Sequence, residues 1–469
     1  MTTSRKIYAN HARGLALSVY LVAVAARSTP AQNDNGALRV TVLDPQHALV
    51  SDASVSVTQG ATGVSTNGVT SVGVYLFPHL LAGTYKVRIE AKGFAVYVDP
   101  EILVFAAQTT EVTATLSLGS PTAQVNIYAG ANMVQAESAQ LSGSFEGRSI
   151  SNVPIVAGAN YSVLNLSMFL PNTTTAAGGT SGSGGSIGGL RGRQNSFSID
   201  GVDNNDPTVT AVSQQVIPDA VQQFVVTQNV FNAEYGRGSG GQFNIITKSG
   251  SNQFHWSTWL YNMNRAYNAA DNQEHSDIAK GIRPGKRRFD FNRAGGEVGG
   301  AILPNRLFFY GAYEFSDLNR QATAPSGLAP TSTGLATLNT LAANSQVRDL
   351  LAQFPVAPVQ NSCPGPPSCT VLVNGQLIPI GTVNSIAPDF IRAHDFLING
   401  DVHLNGQALH TRYIQDRARR PVLGSFPQAQ FGSSSAVGNW RLILDHTWPV
   451  TSHLANDFQA SFSRFSQFF

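Results

Sequence analysis

Oxygen-bearing side chains are concentrated in one short run of this sequence, and such groups could bind a cation. The run is Asp200-Gly201-Val202-Asp203-Asn204-Asn205-Asp206. Carboxylate and amide oxygens are the ligands that Ca²⁺ prefers, but the run lacks the spacing and the terminal glutamate of an EF-hand. The alternative is a set of Asx turns that hydrogen-bond to the nearby backbone. Arg191 and Arg193 lie just upstream and could pair with these carboxylates.

Two glycine motifs match signatures of nucleotide binding and hydrolysis, but neither has the required context. Gly236-Arg237-Gly238-Ser239-Gly240-Gly241 fits G-x-G-x-x-G, which needs a helix after it, whereas strand-like sequence follows here. Gly184–Gly188 fits G-x-S-x-G inside a Gly/Ser run, without the strand and helix that a hydrolase requires. We therefore expect no enzymatic activity and no cofactor, and we interpret the first motif as a tight turn between two domains.

The cysteines and histidines predict structural roles. Cys363 and Cys369 enclose five residues rich in proline, and in an exported chain we expect a local disulfide between them. Free thiols are the alternative. The ten histidines contain no H-E-x-x-H motif. His403 and His410 flank a predicted hairpin turn and could approach each other, although surface positions are the default expectation. We predict no metal site.

The composition narrows the class of protein that must position these residues. The chain has 469 residues, 42% of them hydrophobic and only 12% charged, with a net charge of +2. Soluble domains carry about 25% charged residues. The 25 phenylalanines and 13 tyrosines argue against disorder, and no apolar run reaches the 18 or so residues of a membrane helix. The balanced charge gives no reason to expect nucleic acid as a partner. These features favour β-structure with two faces of different character.

The N-terminus has the pattern of a secretory signal peptide. Arg5, Lys6 and Arg13 precede an apolar stretch at residues 15–26, and the small-residue segment Thr29-Pro30-Ala31 follows. We assign residues 1–31 to the signal peptide. A buried N-terminal helix is the alternative.

Three strand patterns follow one another along the rest of the chain. Residues 36–119 alternate apolar and polar positions with turns between them, which predicts a small β-sandwich. Residues 122–250 mix short strands with irregular segments and a short helix predicted at Tyr161–Met168, which indicates an α+β domain. Residues 251–469 have longer strands, short turns on one side and long loops on the other, the pattern of an outer-membrane barrel. A large soluble sandwich is the alternative.

Seven long strands are predicted in the last region. The third has Leu307, Phe309, Gly311, Tyr313 and Phe315 on one face, and a loop of about 80 residues separates it from the fourth. Asn405-Gly406 predicts a type I′ hairpin turn, and we expect another turn near Trp448-Pro449. The seven strands are predicted at Gln253–Asn262, Arg287–Gly300, Asn305–Asp317, Asp395–Leu404, Gln407–Arg417, Asn439–Thr447 and Ser452–Phe465.

Several of these segments resemble TonB-dependent outer-membrane transporters of the Oar-like type. Residues 36–119 are similar to the carboxypeptidase-regulatory-like module that precedes the plug in this family. Similarity to the plug is carried by Arg191, Arg193, Ile199–Asp206 and Phe231–Gly250, with Glu234-Tyr235-Gly236-Arg237 at the junction of plug and barrel. The first barrel strands of the family resemble Arg265–Ala269, Gly296–Ile302 and Asn305–Glu314.

The resemblance implies a fold and a mechanism. The fold is mostly β: an N-terminal sandwich, an α+β plug and the first strands of a large antiparallel transmembrane barrel. In this family a plug fills a barrel of about 22 strands. Substrate binds outside, and a motor acting through TonB pulls a short N-terminal segment, the TonB box. Gln124-Val125-Asn126-Ile127-Tyr128 is the candidate, because it alternates and lies between sandwich and plug. An ordinary first plug strand is the alternative.

The functional expectation is TonB-energised uptake of an unidentified substrate across the outer membrane. The expected partners are TonB with its inner-membrane motor, outer-membrane lipid and an extracellular substrate. Seven strands are about a third of the expected barrel, so we expect a truncated chain or a fragment that does not close one by itself. The alternative function is binding or adhesion at the cell surface without transport.

Overall fold

The computed structural model describes most of the chain in discrete ranges. Elements and contacts are stated only for these residues, which are 35–119, 124–126, 141–153, 162–174, 183–207, 211–229, 236, 238–281, 285–323, 327–357, 369–383, 386–404, 406–422, 433–451 and 454–468.

The N-terminal part is a β-sandwich of two sheets. One sheet has the order β4-β1-β7 and the other β3-β2-β5-β6-β8, where β8 is a short strand added in parallel beside β6. Tyr85, Val87 and Ile89 are buried between the sheets while the residues between them are exposed, as strand alternation requires. The strands are β1 Gly36–Leu43, β2 Ser54–Gln59, β3 Ser65–Val69, β4 Val74–Leu80, β5 Gly83–Glu90, β6 Val96–Val104, β7 Thr109–Thr115 and β8 Gln124–Asn126.

The second part of the chain contains a five-stranded sheet, here called the plug sheet, with the strand order β13-β12-β15-β14-β9. Its core contains Phe197, Phe224 and Phe243, whose neighbouring ring centroids lie 5.1 and 6.1 Å apart. The helix predicted at Tyr161–Met168 is a 3-10 helix, Val163–Phe169, and the Ser162 side chain caps it by accepting a hydrogen bond from the amide of Leu164. The elements are β9 Leu141–Glu146, α1 Gly147–Asn152, β10 Thr173–Thr174, β11 Ser186–Ile187, β12 Ser196–Ile199, β13 Val202–Asp203, β14 Val221–Asn229 and β15 Gln242–Thr247, with further 3-10 helices at Gly192–Gln194 and Pro218–Ala220.

Long antiparallel strands form the third part, here called the wall. They run in the order β16-β17-β18-β22-β23-β24-β25, with β26 also paired to β24, and the described strands do not close on themselves. The elements are β16 His255–Asn264, α2 Asn272–Ala279, β17 Phe289–Leu303, β18 Leu307–Thr323, β19 Gly327–Pro330, α3 Ser332–Leu341, α4 Ser345–Leu351, β20 Thr370–Val373, β21 Gln376–Val383, β22 Ile386–Leu404, β23 Gln407–Val422, β24 Ser433–Thr451, β25 Leu454–Arg464 and β26 Gln467–Phe468.

The two faces of the wall differ in the way the alternation predicts. On β18, Phe308, Tyr310 and Glu314 are almost fully buried, and Tyr310 belongs to the apolar core that also contains residues of the plug sheet. The five residues that the sequence placed together on the other face, from Leu307 to Phe315, point away from the plug sheet. Tyr313 of that set is 38% exposed, as is expected for a side chain that meets lipid.

The turns of the wall are partly as expected. Gly406 has a φ of +78° and joins β22 to β23, as the Asn-Gly dipeptide predicts, although Asn405 lies outside the described residues. The turn expected near Trp448-Pro449 is wrong, because pairing with β25 continues as far as Thr451 opposite Leu454. A proline is tolerated there since it stands near the end of the strand.

The long loop after β18 carries structure that sequence patterns did not reveal. It contains a three-stranded sheet of order β19-β21-β20 together with helices α3 and α4. No helix in the described part of the chain has the length and apolarity needed to cross a membrane.

Candidate functional site

The plug sheet and the wall share one apolar core, which makes their interface the candidate functional site. Phe224 and Phe243 of the plug sheet belong to the same buried cluster as Tyr310, Leu397 and Ile414 of the wall. No described backbone ladder joins the two sheets. Side chains therefore determine how the plug sheet is held.

A buried ionic cluster links the two sheets near the start of β14. Arg293 of β17 pairs with Asp219 of the plug and, through Nε, with Glu314 of β18 at 3.1 Å. Tyr261 donates to Asp219 at 2.9 Å, and its ring lies 4.3 Å from the Arg293 guanidinium. Trp259 Nε1 donates to Glu314 at 2.8 Å. The Arg293 guanidinium thus pairs with two buried carboxylates, and each carboxylate also accepts a hydrogen bond from an aromatic side chain.

A second ion pair lies where the chain leaves the plug sheet. Lys248, directly after β15, places Nζ 2.9 Å from an oxygen of Glu297 on β17. Tyr310 and Ser257 also donate to that carboxylate, at 2.5 and 3.1 Å. Asn399 of β22 donates to the carbonyl oxygen of Lys248 at 2.6 Å. This end of β15 is therefore bonded directly to two strands of the wall, β17 and β22.

Asp200 is the first acidic residue of the predicted plug signature, and it closes a turn. Its φ is +46°, and Gly201 continues the turn from β12 to β13 with a φ of +77°. Both carboxylate oxygens accept from Thr247, one from the amide at 2.9 Å and one from the hydroxyl at 2.8 Å. Burial raises the pKa of Asp200, and the nearby Arg412 guanidinium opposes that shift.

Asn204 uses its amide to organise the plug and to reach the wall. The side chain is fully buried, donates to the carbonyl of Gln214 at 3.0 Å and accepts from Arg441 of β24 at 3.2 Å. Asp203 accepts from the amide of Asn205 at 3.1 Å, which is an Asx turn. Among the described residues, no group of three or more His, Cys, Asp or Glu side chains could hold a metal ion. The hydrogen bonds described for the oxygens of this run belong to turns and to contacts between the two sheets.

The arginines nearest to these plug residues come from the wall. Arg191 and Arg193 are exposed at the 3-10 helix that precedes β12. Arg412 of β23 and Arg441 of β24 are instead buried against the plug. Sequence reasoning missed both. The only available signal was their place on the plug-facing positions of an alternating strand.

The histidine pair lies at the end of the wall that carries the short turns, here called the short-turn end. His403 and His410 have ring centroids 5.6 Å apart. His410 is 5% exposed, so the default expectation of a surface position is wrong for it. Its Nδ1 lies 2.7 Å from Asp401, which also accepts from Arg412 at 2.5 Å. The side chains line a cavity of about 450 Å³ between sandwich, plug and wall.

The glycine motif after β14 lies inside the plug layer and not at the wall. An added Cβ at Gly238 would meet the Gln194 carbonyl oxygen at 2.8 Å, and one at Gly241 would meet Ile187 at 2.3 Å. The turn expected between two domains is therefore a close packing within one domain, and it opens strand β15. Glu234, Tyr235 and Arg237, predicted at the junction of plug and barrel, lie outside the described residues.

Two further predicted features fall partly outside the described residues. Gln124, Val125 and Asn126 of the candidate TonB box form β8, opposite Val96–Val98 of β6, whereas Ile127 and Tyr128 are not described. Cys369 is disulfide-bonded. Its predicted partner Cys363 lies outside the described residues, so the pairing stays a prediction.

Comparisons with known proteins match two parts of the chain to described families. Residues 246–469 match the family model described as an outer membrane beta barrel domain, and residues 37–117 match the carboxypeptidase regulatory-like domain. The TonB-dependent transporter Oar of Myxococcus xanthus is 25% identical over 292 residues, which are 60% of this chain and 27% of that protein. The chain thus spans about a quarter of the length of this relative.

Two solved structures illustrate the structural likeness. The siderophore receptor PirA from Acinetobacter baumannii has a TM-score of 0.34 and 14% identity, over 69% of this chain and 47% of that one. A mutant of the ferric enterobactin receptor from Pseudomonas aeruginosa has a TM-score of 0.40 and 12% identity, over 69% of this chain and 40% of that one.

Proposed function

We propose that this outer-membrane chain takes part in TonB-energised uptake of a substrate from outside the cell. Its two domain matches and its similarity to the TonB-dependent transporter Oar support this proposal. The observation that carries the proposal is the way the plug sheet is held. It sits against the inner face of the wall through side-chain contacts, and no backbone ladder joins the two sheets in the described part of the chain. A plug attached in this way can be moved without unfolding the strands of the wall.

The strength of the attachment fits a movable plug. The described polar links include the Arg293 cluster, the Lys248–Glu297 pair, the bond from Arg441 to Asn204 and a bond from Gln459 of β25 to the carbonyl oxygen of Asp200. A hydrogen bond contributes about 0.5–1.5 kcal/mol net, and one to a charged group about 1.5–3 kcal/mol. A pulling force can break such links one after another. Pairing between strands would instead have to break along its whole length.

The coupling segment is proposed to be the region that begins with β8. Residues Gln124–Asn126 are already extended and add a strand to an existing sheet edge. Recognition by strand addition depends mainly on backbone hydrogen bonds. TonB would pair with the same backbone, and in doing so it would replace β6 as the neighbour of this segment.

Binding of the purified periplasmic domain of TonB tests this assignment. Val125→Pro removes a backbone N–H and restricts φ, whereas Val125→Thr keeps both the donor and the tendency to form strands. We expect the proline variant to lose at least tenfold in affinity by calorimetry and the threonine variant to bind within about twofold of the unmodified chain. Equal affinity of both variants would contradict the assignment of the segment.

An uptake assay in cells separates transport from simple surface binding. The radiolabelled or fluorescent compounds tested should accumulate only in cells that have TonB. Surface binding that persists without any TonB-dependent accumulation would favour the alternative function in adhesion.

A further inference from the structure

The N-terminal sandwich touches both the plug and the wall, and it does so at the short-turn end. On the wall side, the amide of Asn252 donates to the carbonyl of Ala61 at 2.9 Å, and its side chain donates to the carbonyl of Thr62 at 2.5 Å. Asn252 is fixed in turn by Asn305, in the turn from β17 to β18: each donates to the other, at 2.7 and 2.8 Å. The sandwich loop is therefore bonded to the base of the first three wall strands.

Close approach at Gly63 shows how tightly this loop fits the wall. Gly63 has a φ of +69°, and a Cβ built on it would lie 2.7 Å from the side-chain oxygen of Asn305 and 3.2 Å from the side-chain nitrogen of Asn252. Any larger residue would displace the two asparagine side chains. Gly93 also has a positive φ, of +89°, but nothing lies within 4 Å of its Cβ position.

The opposite side of the sandwich is bonded to the plug. The amide of Ala106 donates to the side chain of Gln223 on β14 at 2.7 Å, and both residues are buried. Gln108 donates to Ser142 on β9 at 3.1 Å. These two acceptors belong to neighbouring strands at one edge of the plug sheet.

A third contact joins the sandwich to strand β25 of the wall beside the cavity at the short-turn end. His79 of β4 lies 3.6 Å from Asp457 of β25. Sandwich residues such as Leu81 and Gly83 line the cavity together with Asp200 of the plug and Asp445 of the wall. The sandwich thus covers the short-turn end of the plug from several sides.

We propose that the sandwich is a clamp that holds the plug against the wall at the short-turn end, and that it must leave this position before the plug can move. The inference rests on the proposed function, since a clamp matters only if the plug moves. The sandwich has its own core of buried Val, Leu and Ile residues, so it can act as one rigid body. Its bonds to the plug and to the wall then break together. A change that weakens the bonds to the wall should therefore also weaken the bonds to the plug.

Hydrogen exchange at the Ala106 amide tests this coupling directly, because the hydrogen bond described for that amide goes to a plug side chain, Gln223. The perturbation is placed on the wall side, as Gly63→Ala, in the full chain in membrane vesicles. We expect exchange at Ala106 to become about fivefold faster, the change that loss of one ordinary hydrogen bond produces. Gly93→Ala also places a side chain at a positive φ, but without a neighbour within 4 Å, and should change the Ala106 exchange rate by less than twofold. Asn252→Ala provides a second wall-side variant.

Three results would overturn the clamp. The first is an Ala106 amide that exchanges without protection in the unmodified chain. The second is an Ala106 exchange rate that stays unchanged in both Gly63→Ala and Asn252→Ala. The third is an equal increase of this rate in Gly63→Ala and Gly93→Ala. The measurement needs neither TonB nor substrate. Its outcome therefore judges the clamp separately from the TonB-binding test of the proposed function.

A reversible lock tests whether the clamp restrains the plug. Ala61→Cys with Asn252→Cys places two thiols on residues that a backbone hydrogen bond of 2.9 Å joins, and a disulfide spans Cα atoms about 4.4–6.8 Å apart. Cys363 and Cys369 are replaced by Ser to avoid mispairing. In single-molecule pulling from Gln124, the oxidised chain should need a higher force for the first plug extension, and reductant should restore the lower force. Identical forces in both states would refute the restraint.

Discussion

Replacing Arg293 by Met should loosen the plug from the wall more than replacement of any exposed arginine. Arg293 is the cation shared by Asp219 and Glu314, and all three residues are at most 8% exposed. Methionine keeps a similar length and fills the space, but it leaves two buried carboxylates without a counter-charge. The donors Tyr261 and Trp259 remain in place and offset only part of the loss.

The magnitude follows from the burial of the cluster. Removal of one partner from a buried ion pair destabilises by about 3–5 kcal/mol, because the remaining charge is uncompensated. The matched control is Arg392→Met. The side chain of Arg392 is 62% exposed and pairs with Asp317 at 3.2 Å, so its loss should change stability by about 0–1 kcal/mol.

Urea titration of the vesicle-bound chain measures the difference through Trp259, whose indole nitrogen bonds to Glu314. The other three tryptophans, Trp256, Trp440 and Trp448, are replaced by Phe so that fluorescence reports only this contact. We expect the midpoint of plug release to shift to lower urea in Arg293→Met. Adding Glu314→Gln should recover about 0.5–3 kcal/mol, because it removes one of the two uncompensated charges.

The reasoning would be refuted if Arg293→Met and Arg392→Met were destabilised to within 1 kcal/mol of each other. It would also fail if Glu314→Gln made the Arg293 variant still less stable. Either result would mean that the Arg293 cluster does not hold the plug electrostatically, and that the shared apolar core and the remaining polar links do so.

Two further predictions concern the sandwich and the long loop. Burial raises the pKa of Asp99 above its ordinary value of 3.8, so the folded sandwich binds more protons than the unfolded chain above that pH. The free energy of unfolding of the sandwich should therefore fall as pH rises from about 4 through the raised pKa. Chemical denaturation at a series of pH values should show that Asp99→Asn removes this dependence. If the free energy of unfolding of the variant changed with pH as in the unmodified chain, Asp99 would not be its cause. Peptide mapping without reductant should recover Cys363 joined to Cys369, whereas alkylation of both as free thiols would exclude the bond.

Local patterns in the sequence were sufficient for the strands of the wall and for their two faces. The period of two on β18 separates Phe308 and Tyr310, which are buried, from Phe309 and Tyr313, which point to the other side of the wall. That pattern is local because successive side chains of a strand point to opposite sides. Strand ends were less well predicted. Pairing with a neighbour extends β24 through Trp448-Pro449, which reads as a turn in isolation.

The candidate site was only half visible in the sequence. The run from Asp200 to Asp206 was recognisable, and so was the resemblance that marks it as part of a plug. Its partners were not, because Arg441 is 237 residues away from Asn204 along the chain and no local pattern connects them. The burial of His410 was also missed, although its partner Asp401 lies directly opposite it on the neighbouring strand.

The sequence by itself determined the β character of the chain and the order of its three parts. It also determined the alternation that gives the long strands two faces of different character. These properties follow from the period of side-chain direction and from turn residues, which act over a few positions. Only the tertiary structure decided that wall arginines serve the plug and that the sandwich bonds to Asn252 on one side and Gln223 on the other. Such contacts join residues remote in sequence, and they exist only once the sheets have packed.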